Sequence, residues 1–148
     1  MIKILFVCHG NICRSPMAEF ILKQMTRERE EQFYIASGAV SDEEEGNPIY
    51  FQAAQTLRNM GVPFSRHTAR RITEEDYRFY DYILAMDRAN ILRMERLLGK
   101  DTQHKVFRLL DFTEKPGDIE DPWYTGNFEG VFQSISRGCA AFLQFLKE

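Results

Sequence analysis

The amino-acid sequence predicts a single α/β domain built on a four-stranded parallel sheet with helices on both faces. Short apolar runs alternate along the chain with longer segments whose apolar residues recur at helical spacing. This alternation is typical of a parallel sheet with right-handed crossovers. The 148 residues are the length of one ordinary domain, which can bury a core without disulfide bonds. We therefore expect one domain over residues 1–148.

The strands are predicted from the apolar runs, which are typical of strands covered on both faces of a sheet. The first run contains a single lysine, and the second is followed by Ser37 and Gly38. The predicted strands are 2–7, 33–36, 82–86 and 106–110.

The helices are predicted from apolar periodicity and from residues that start or stop helices. Pro16 favours the first helical position, and Thr73 with Asp76 resembles a capping box. Gly61 and Gly99 follow the last residues of two helices. The predicted helices are 17–31, 48–60, 73–80, 88–98 and 128–146.

Three connecting segments hold much of the polar chemistry. In parallel α/β sheets, ligands bind beyond the carboxyl ends of the strands, and the turn at 8–15 directly follows the first strand. The segment at 41–47 is acidic, and the segment at 111–127 is a long charged loop with two prolines. Loops of that length in compact domains are often functional.

The composition disfavours several classes of protein. The formal net charge of −3 disfavours nucleic acid as a partner, and no apolar run is long enough to cross a membrane. The apolar N-terminal stretch is too short for a signal peptide, so we expect a cytoplasmic protein. We separately expect either a monomer or a weak dimer. The scattered histidines predict no metal site. A sparse, odd set of cysteines argues against a disulfide framework, and these are Cys8, Cys13 and Cys139.

The turn CHGNICRS, residues 8–15, has the features of an anion-binding loop. Successive backbone N–H groups between a strand and a helix N-terminus can converge on an anion. Gly10 permits unusual backbone angles, and Asn11 tolerates the left-handed region better than most residues. The residues predicted to bind phosphate are His9, Gly10, Asn11, Ile12, Cys13, Arg14 and Ser15.

Cys8, at the base of this loop, is a candidate nucleophile. The N–H dipoles, the helix N-terminus and the Arg14 guanidinium all favour a thiolate, and the Ser15 hydroxyl can donate to it. Arg14 also offers a planar fork that suits two phosphate oxygens. The plainer alternative is that Cys8 is a small buried hydrophobic residue in an ordinary strand-to-helix turn.

The segment VCHGNICRSPMAE resembles the signature of low-molecular-weight protein tyrosine phosphatases. Further segments match the family's order and approximate spacing, namely IASGA at 35–39, GNP at 46–48, HTAR at 67–70, ILAMD at 83–87 and EDPWY at 120–124. The resemblance implies a flavodoxin-like sheet of the phosphotyrosine phosphatase I type, with no metal and no cofactor. It also implies hydrolysis of phosphotyrosine in protein substrates, and of small aryl phosphates, through a phosphocysteine intermediate.

The resemblance implies three catalytic roles. Cys8 would attack phosphorus, Arg14 would stabilise charge on the phosphoryl oxygens, and Asp121 would protonate the leaving group and later activate water. The residues alone leave the acid open, and only the match at EDPWY selects Asp121. The competing carboxylates of the long loop are Asp111, Asp118, Glu120 and Asp121.

Further positions are predicted to support the site. The supporting residues that the resemblance implies are Asn11, Ser15, Ser37, His67 and Asp87. Asp87 follows the third predicted strand and should therefore lie at the same sheet edge as the loop. Trp123 and Tyr124 would form an aromatic wall for a phenyl ring. The alternatives are a turn serine, a structural histidine, a helix-capping aspartate and ordinary aromatic packing.

Several features admit two interpretations. Cys13 either forms a reversible disulfide with Cys8 or is inert. His9 departs from many relatives, and it either adds a pH-dependent contact or is a harmless surface residue. The acidic run at 42–45 favours substrates with basic flanks if it lies near the pocket, and is otherwise a solvated face. Cys139 is expected in the core.

Three rival functions remain open. An arsenate reductase on the same fold would need further cysteines downstream of the loop, and none lies between Cys13 and Cys139. A protein arginine phosphatase resembles this sequence but carries threonine where Ile12 stands, and Ile12 suits an aryl ring better than a guanidinium. A catalytically dead phosphate-binding module is disfavoured because the full set of matched catalytic residues is present.

Overall fold

The computed structural model describes residues 1–148 and confirms the predicted α/β architecture. The strands are β1 Ile2–Cys8, β2 Phe33–Ala39, β3 Tyr82–Ala85 and β4 Val106–Arg108. They form one sheet in the order β2-β1-β3-β4, and every neighbouring pair is parallel. Strand β1 therefore lies inside the sheet, between β2 and β3.

Helices cover both faces of the sheet. They are α1 Arg14–Met25, α2 Phe51–Asn59, α3 Glu74–Phe79, α4 Arg88–Leu98, α5 Pro122–Thr125 and α6 Phe128–Lys147. Successive side chains of a strand point to opposite faces. Accordingly, Ile4 and Phe6 join the larger core with α1, α2 and α6, whereas Leu5 and Val7 join the smaller core that contains Met94 of α4. The uninterrupted apolar run of β1 follows from burial on both sides.

The predicted helix at 17–31 is wrong in its second half. Helix α1 already begins at Arg14 and ends at Met25, and a separate 3-10 helix follows at Arg27–Gln32 with no buried residue. The segment after Met25 is polar and charged, so it offers no apolar face that could extend the helix against the core.

Helix α2 begins at Phe51, three residues later than the predicted range of 48–60. The segment before it is extended, and the backbone N–H of Tyr50 donates to the carbonyl of Ile12 at 2.8 Å. The chain is therefore held against the turn after β1 before it enters the helix.

Strand β2 is longer than the predicted 33–36. Ser37 and Gly38 continue the strand because they pair with Phe6 and Val7 of β1. A Cβ atom on Gly38 would lie 2.6 Å from Cγ2 of Ile72, so this position requires glycine for close packing.

Strand β4 is shorter than the predicted 106–110. After Arg108 the chain turns into a 3-10 helix, Leu109–Phe112, that packs on α6. Leu109 lies directly against Gly138 of α6, where a Cβ atom would stand 2.5 Å from the leucine Cγ. This contact fixes the start of the long loop that carries helix α5.

The predicted helix boundaries at Thr73, Gly61 and Gly99 are confirmed. Thr73 and Asp76 form the capping box of α3, and both glycines have positive φ angles, 72° and 91°. None of the helices combines the length and the apolar character that crossing a bilayer would require.

The sheet order determines where a ligand can bind. From β1 the chain crosses to β2 on one side and later returns to β3 on the other, so the connections diverge at the carboxyl ends of β1 and β3. Cys8 ends β1, and Asp87 lies two residues beyond β3. The two residues therefore face the same crevice.

Candidate active site

The turn after β1 wraps around the sulfur of Cys8. The cysteine is only 3% exposed. The backbone N–H groups of Asn11 and Ser15 donate to its Sγ at 3.3 and 3.4 Å, and the Ser15 hydroxyl lies 3.0 Å from it. Donors converging on one sulfur provide the setting that stabilises an anion there.

Asn11 holds the turn from behind. It is fully buried, and its φ of 59° lies in the left-handed region, which asparagine tolerates better than most residues. Its amide nitrogen donates to the hydroxyls of Ser15 and Ser37 at 2.8 and 3.0 Å. Its amide oxygen accepts from the backbone N–H of Arg70 at 3.1 Å. Its carbonyl oxygen lies 2.6 Å from Nε2 of His67, which therefore carries the proton.

Arg14 is held in place by contacts to two other segments of the chain. The residue is 2% exposed, and its Nη1 donates to Oδ2 of Asp87 at 2.7 Å and to the carbonyl of Ile119 at 2.9 Å. Burial lowers the pKa of Arg14, but the negative charges of the neighbouring Cys8 and Asp87 raise it by a larger amount. The net pKa of Arg14 is therefore above its ordinary value. The guanidinium is therefore a permanent positive charge beside the sulfur.

Asp121 is the carboxylate of the long loop that reaches this cavity. It caps α5, where its Oδ1 accepts from the backbone N–H of Trp123 at 3.0 Å. Its Oδ2 lies 3.5 Å from Nη2 of Arg14. The competing carboxylates bind elsewhere, since Asp111 and Asp118 pair with Arg108 and Glu120 accepts from Asn127.

These groups line a cavity of about 210 Å³. Its lining residues are Cys8, His9, Gly10, Ile12, Cys13, Arg14, Glu43, Glu44, Asp121, Trp123 and Tyr124. Trp123 and Tyr124 are 53% and 84% exposed, so they stand at the mouth rather than in the core. These two rings, which the sequence predicts to form an aromatic wall, therefore lie at the entrance of the cavity.

Part of the cavity lining is acidic. Two residues of the acidic run, Glu43 and Glu44, line the cavity. His9 Nε2 lies 3.1 Å from Oε2 of Glu43. A Cβ atom on Gly10 would stand 3.2 Å from Cγ of Glu44, so the glycine leaves room for this side chain.

The remaining cysteines are free thiols. Burial, together with the charges of Cys8 and Asp121, raises the pKa of Cys13, which lines the cavity. Burial alone raises the pKa of Cys139, which is fully buried in the larger core as expected. No group of three or more His, Cys, Asp and Glu side chains is arranged to hold a metal ion.

Among the contacts of the site that were not predicted from the sequence, two involve the side chains of Arg14 and Ser37. The carbonyl of Ile119 accepts from Arg14, but a backbone acceptor leaves no trace in the side-chain pattern. Glu19 of α1 accepts from the Ser37 hydroxyl at 2.6 Å. Glu19 and Lys23 have the spacing of an ordinary ion pair on the exposed face of a helix, so the sequence gives no sign that Glu19 also contacts Ser37.

The comparisons with known proteins agree with this geometry. The sequence profile described as low molecular weight phosphotyrosine protein phosphatase matches residues 3–148. The low molecular weight protein-tyrosine-phosphatase YfkJ of Bacillus subtilis is 40% identical over 100% of this chain and 97% of its own, and the human low molecular weight phosphotyrosine protein phosphatase is 38% identical over 96% and 94%.

Solved structures extend the likeness to the whole fold. The crystal structure of YfkJ from Bacillus subtilis has a TM-score of 0.94 at 39% identity, covering 99% of this chain and 95% of that one. The structure of a Drosophila arginine phosphatase has a TM-score of 0.89 at 33% identity, with 99% of both chains covered. Since the profile and these full-length relatives match nearly every residue, this chain belongs to the low molecular weight phosphotyrosine protein phosphatase family.

Proposed function

We propose that this chain hydrolyses phosphotyrosine in protein substrates, and small aryl phosphates, through a phosphocysteine formed on Cys8. One observation carries the proposal. The sulfur of Cys8 lies among converging donors, with the Arg14 guanidinium and the Asp121 carboxylate in the same cavity. A nucleophile, a cation and a proton carrier around one small cavity are what a phosphoryl transfer needs.

In the first step, the Cys8 thiolate forms a bond to phosphorus while the bond from phosphorus to the phenolic oxygen breaks. Backbone N–H groups of the loop and the free N–H groups of Arg14 bind the non-bridging oxygens, where negative charge accumulates. The leaving oxygen takes its proton from the carboxyl of Asp121, which stands beside Arg14 at 3.5 Å.

In the second step, a water oxygen bonds to phosphorus and the bond from phosphorus to sulfur breaks. Asp121, now a carboxylate, takes the proton of that water, and inorganic phosphate leaves. The thiolate of Cys8 is restored, with the Ser15 hydroxyl as a donor at 3.0 Å. No further group is needed to balance protons or charge.

The cavity lining supports an aryl phosphate ester over phosphoarginine, in which phosphorus is bonded to a guanidino nitrogen. Ile12 lines the cavity together with the exposed rings of Trp123 and Tyr124, and these apolar surfaces match a phenyl ring. An arginine phosphatase is nevertheless among the similar structures, so phosphoarginine is the competing substrate. Arsenate reduction is less well supported, because Cys139 is buried in α6 and cannot relay a disulfide without unfolding.

The test is turnover of p-nitrophenyl phosphate and of a phosphotyrosine peptide in the presence of a chelator. We expect wild-type protein to release phosphate from both. We expect Cys8→Ser to release none while still binding inorganic phosphate, because its N–H groups and Arg14 are unchanged. Failure of wild-type protein to turn over either ester would reject the proposal. Faster release from a phosphoarginine peptide would replace the substrate assignment.

A further inference from the structure

We propose that Glu19 is a positioning residue that sets the direction of the hydrogen bonds behind Cys8; the inference rests on the proposed role of Cys8 as nucleophile. Glu19 lies on α1, outside the cavity, and its side chain is 12% exposed. Its Oε1 accepts from the Ser37 hydroxyl at 2.6 Å, and its Oε2 accepts from Lys23 Nζ at 2.6 Å.

The Glu19 carboxylate determines what the Ser37 hydroxyl does. An ionised carboxylate only accepts hydrogen bonds, so Ser37 must give it its single proton. The Ser37 oxygen can then only accept, and the group 3.0 Å away is the side-chain amide of Asn11. That amide must therefore turn its nitrogen, not its oxygen, toward Ser37.

The amide orientation of Asn11 in turn sets the Ser15 hydroxyl. The same amide nitrogen donates to the Ser15 oxygen at 2.8 Å, so the Ser15 proton is not used there. It is directed to the sulfur of Cys8 at 3.0 Å, which is nearer than its other acceptor, the carbonyl of Gly38 at 3.4 Å. Glu19 thus acts through two hydroxyls and an amide to keep a donor pointed at the sulfur.

Removing the carboxylate relaxes this order. Ser37 becomes free to donate to Asn11, and a reversed amide would present its oxygen to both hydroxyls. Ser15 would then donate to Asn11 instead of Cys8. The N–H of Arg70, which donates to the present amide oxygen at 3.1 Å, opposes the reversal, so we expect a partial loss of donation to the sulfur.

The experiment measures the rate of Cys8 alkylation by iodoacetamide against pH, together with kcat for p-nitrophenyl phosphate. For Glu19→Ala we expect the midpoint of the alkylation profile to move to higher pH and kcat to fall by about tenfold, the size of one hydrogen bond to a charged acceptor. If Glu19 acted only as a nearby negative charge, its removal would move the midpoint to lower pH. A lower or unchanged midpoint therefore overturns the proposal.

Two matched variants separate hydrogen-bond direction from charge and packing. Lys23→Met removes the ion pair but leaves the Ser37 contact, and we expect a wild-type profile. Glu19→Gln combined with Lys23→Met supplies a neutral acceptor for Ser37, with no lysine to attract the amide oxygen away, and we expect it to restore the midpoint. A double variant that stays as shifted as Glu19→Ala contradicts the directional mechanism.

A variant on the other side of the contact guards against misfolding. Should Glu19→Ala unfold, Ser37→Ala removes the proton that Glu19 accepts, and it must raise the alkylation midpoint for the proposal to stand. Alkylation needs only the thiol, so this readout remains informative even if wild-type protein fails to hydrolyse aryl phosphates. That failure would reject the proposed function, whereas an unshifted midpoint would reject the role of Glu19.

Discussion

The two carboxylate oxygens of Asp87 accept hydrogen bonds from two different parts of the chain, the Arg14 side chain and the first turn of helix α4. Oδ2 accepts from Nη1 of Arg14 at 2.7 Å, while Oδ1 accepts from the backbone N–H of Asn90 at 2.7 Å and caps α4. The side chain is 18% exposed. The orientation of the Arg14 guanidinium is therefore fixed by the first turn of α4, which lies on the face of the sheet opposite to α1. Both interpretations of Asp87, as a cap and as a neighbour of the loop, apply at once.

Replacing Asp87 by asparagine separates these two roles. Asparagine is as good an N-cap as aspartate, so we expect α4 to keep its cap, and a loss in the free energy of unfolding then reports the broken buried pair with Arg14. It lacks the charge that holds Arg14, so we expect kcat/KM for an aryl phosphate to fall by about tenfold. Kinetics and urea denaturation of Asp87→Asn measure both. Asp118→Asn, which changes a carboxylate paired with Arg108, is the control, and equal activity of the two variants would contradict the prediction.

Arg14→Lys tests whether the guanidinium fork matters beyond its charge. Nη1 of Arg14 donates hydrogen bonds to Asp87 and to the carbonyl of Ile119. The other N–H groups of the guanidinium are left to bind a phosphate. A lysine ammonium cannot hold these contacts and bind two phosphate oxygens at the same time. We expect kcat to fall by about 10²- to 10³-fold, with inorganic phosphate bound more weakly. Near wild-type kcat would show that a point charge suffices.

Asp121→Asn tests the proton donor without removing the cap of α5. The asparagine oxygen can still accept from the N–H of Trp123, so the loop should keep its shape. We expect kcat to fall by about 10²-fold or more for phenyl phosphate, whose leaving group needs a proton, and much less for a substrate with an acidic phenol. Equal losses for both substrates would remove Asp121 from this role, and Asp111→Asn is the matched control.

The acidic part of the cavity lining should select among peptide substrates. Glu43 and Glu44 line the cavity, so a phosphotyrosine flanked by lysine or arginine is attracted and an acidic flank is repelled. For Glu43→Gln with Glu44→Gln we expect the preference in kcat/KM for a basic peptide over an acidic one to shrink several-fold. The preference of wild-type protein should also weaken at high ionic strength. Glu45→Gln, which lies outside the cavity lining, is the control and should leave the peptide preference and its salt dependence unchanged. If the double variant keeps the full preference for the basic peptide, Glu43 and Glu44 do not contribute to substrate selection.

Asp101 should make stability depend on pH. Burial raises the pKa of this carboxyl, but hydrogen bonds from Tyr77 Oη at 2.5 Å and from the N–H groups of Lys105 and Val106 at 2.9 Å lower it to a net value below the ordinary one. A depressed pKa in the folded state adds stability that is fully present above the ordinary value. That stability is lost as the pH falls through the folded-state pKa.

We therefore expect Asp101→Asn to lower the free energy of unfolding by about 2 kcal/mol near neutral pH. The difference from wild-type protein should shrink as the pH falls below about 4. Urea denaturation across this range measures it, and Glu114→Gln, at an exposed position, is the control. A difference that does not vary with pH would mean that the carboxylate charge contributes nothing.

The sequence predicted the strand-turn-helix unit around Cys8 because its signals are local. The buried run, the polar turn and Pro16 all lie within one stretch of chain, and each has a direct conformational meaning. The error at β2 arises because a distant strand decides the pairing. Ser37 and Gly38 are typical turn residues, yet they extend β2 because β1 offers them partners in register.

Asp121 and Glu19 also show that local sequence signals do not identify contacts made between distant parts of the chain. From the residues alone, Asp121 could not be separated from its acidic neighbours, and the structure distinguishes it because Arg108 and Asn127 engage the others. Glu19 was missed because helical spacing from Lys23 already accounts for an exposed charge. Only the position of β2 beside α1 gives its second oxygen a partner.

The docking of the long loop has a further consequence. The thiol and guanidinium sit within one short stretch of chain between β1 and α1, whereas the proton carrier arrives on a separate segment anchored by Ile119, whose N–H donates to Met86 at 2.9 Å and whose carbonyl accepts from Arg14 at 2.9 Å. Transient detachment of that segment would remove the acid together with the Ile119 acceptor, while the loop N–H groups and the pairing of Arg14 with Asp87 stay in place. In that open form the molecule would still bind phosphate esters but would cleave those with poor leaving groups only slowly.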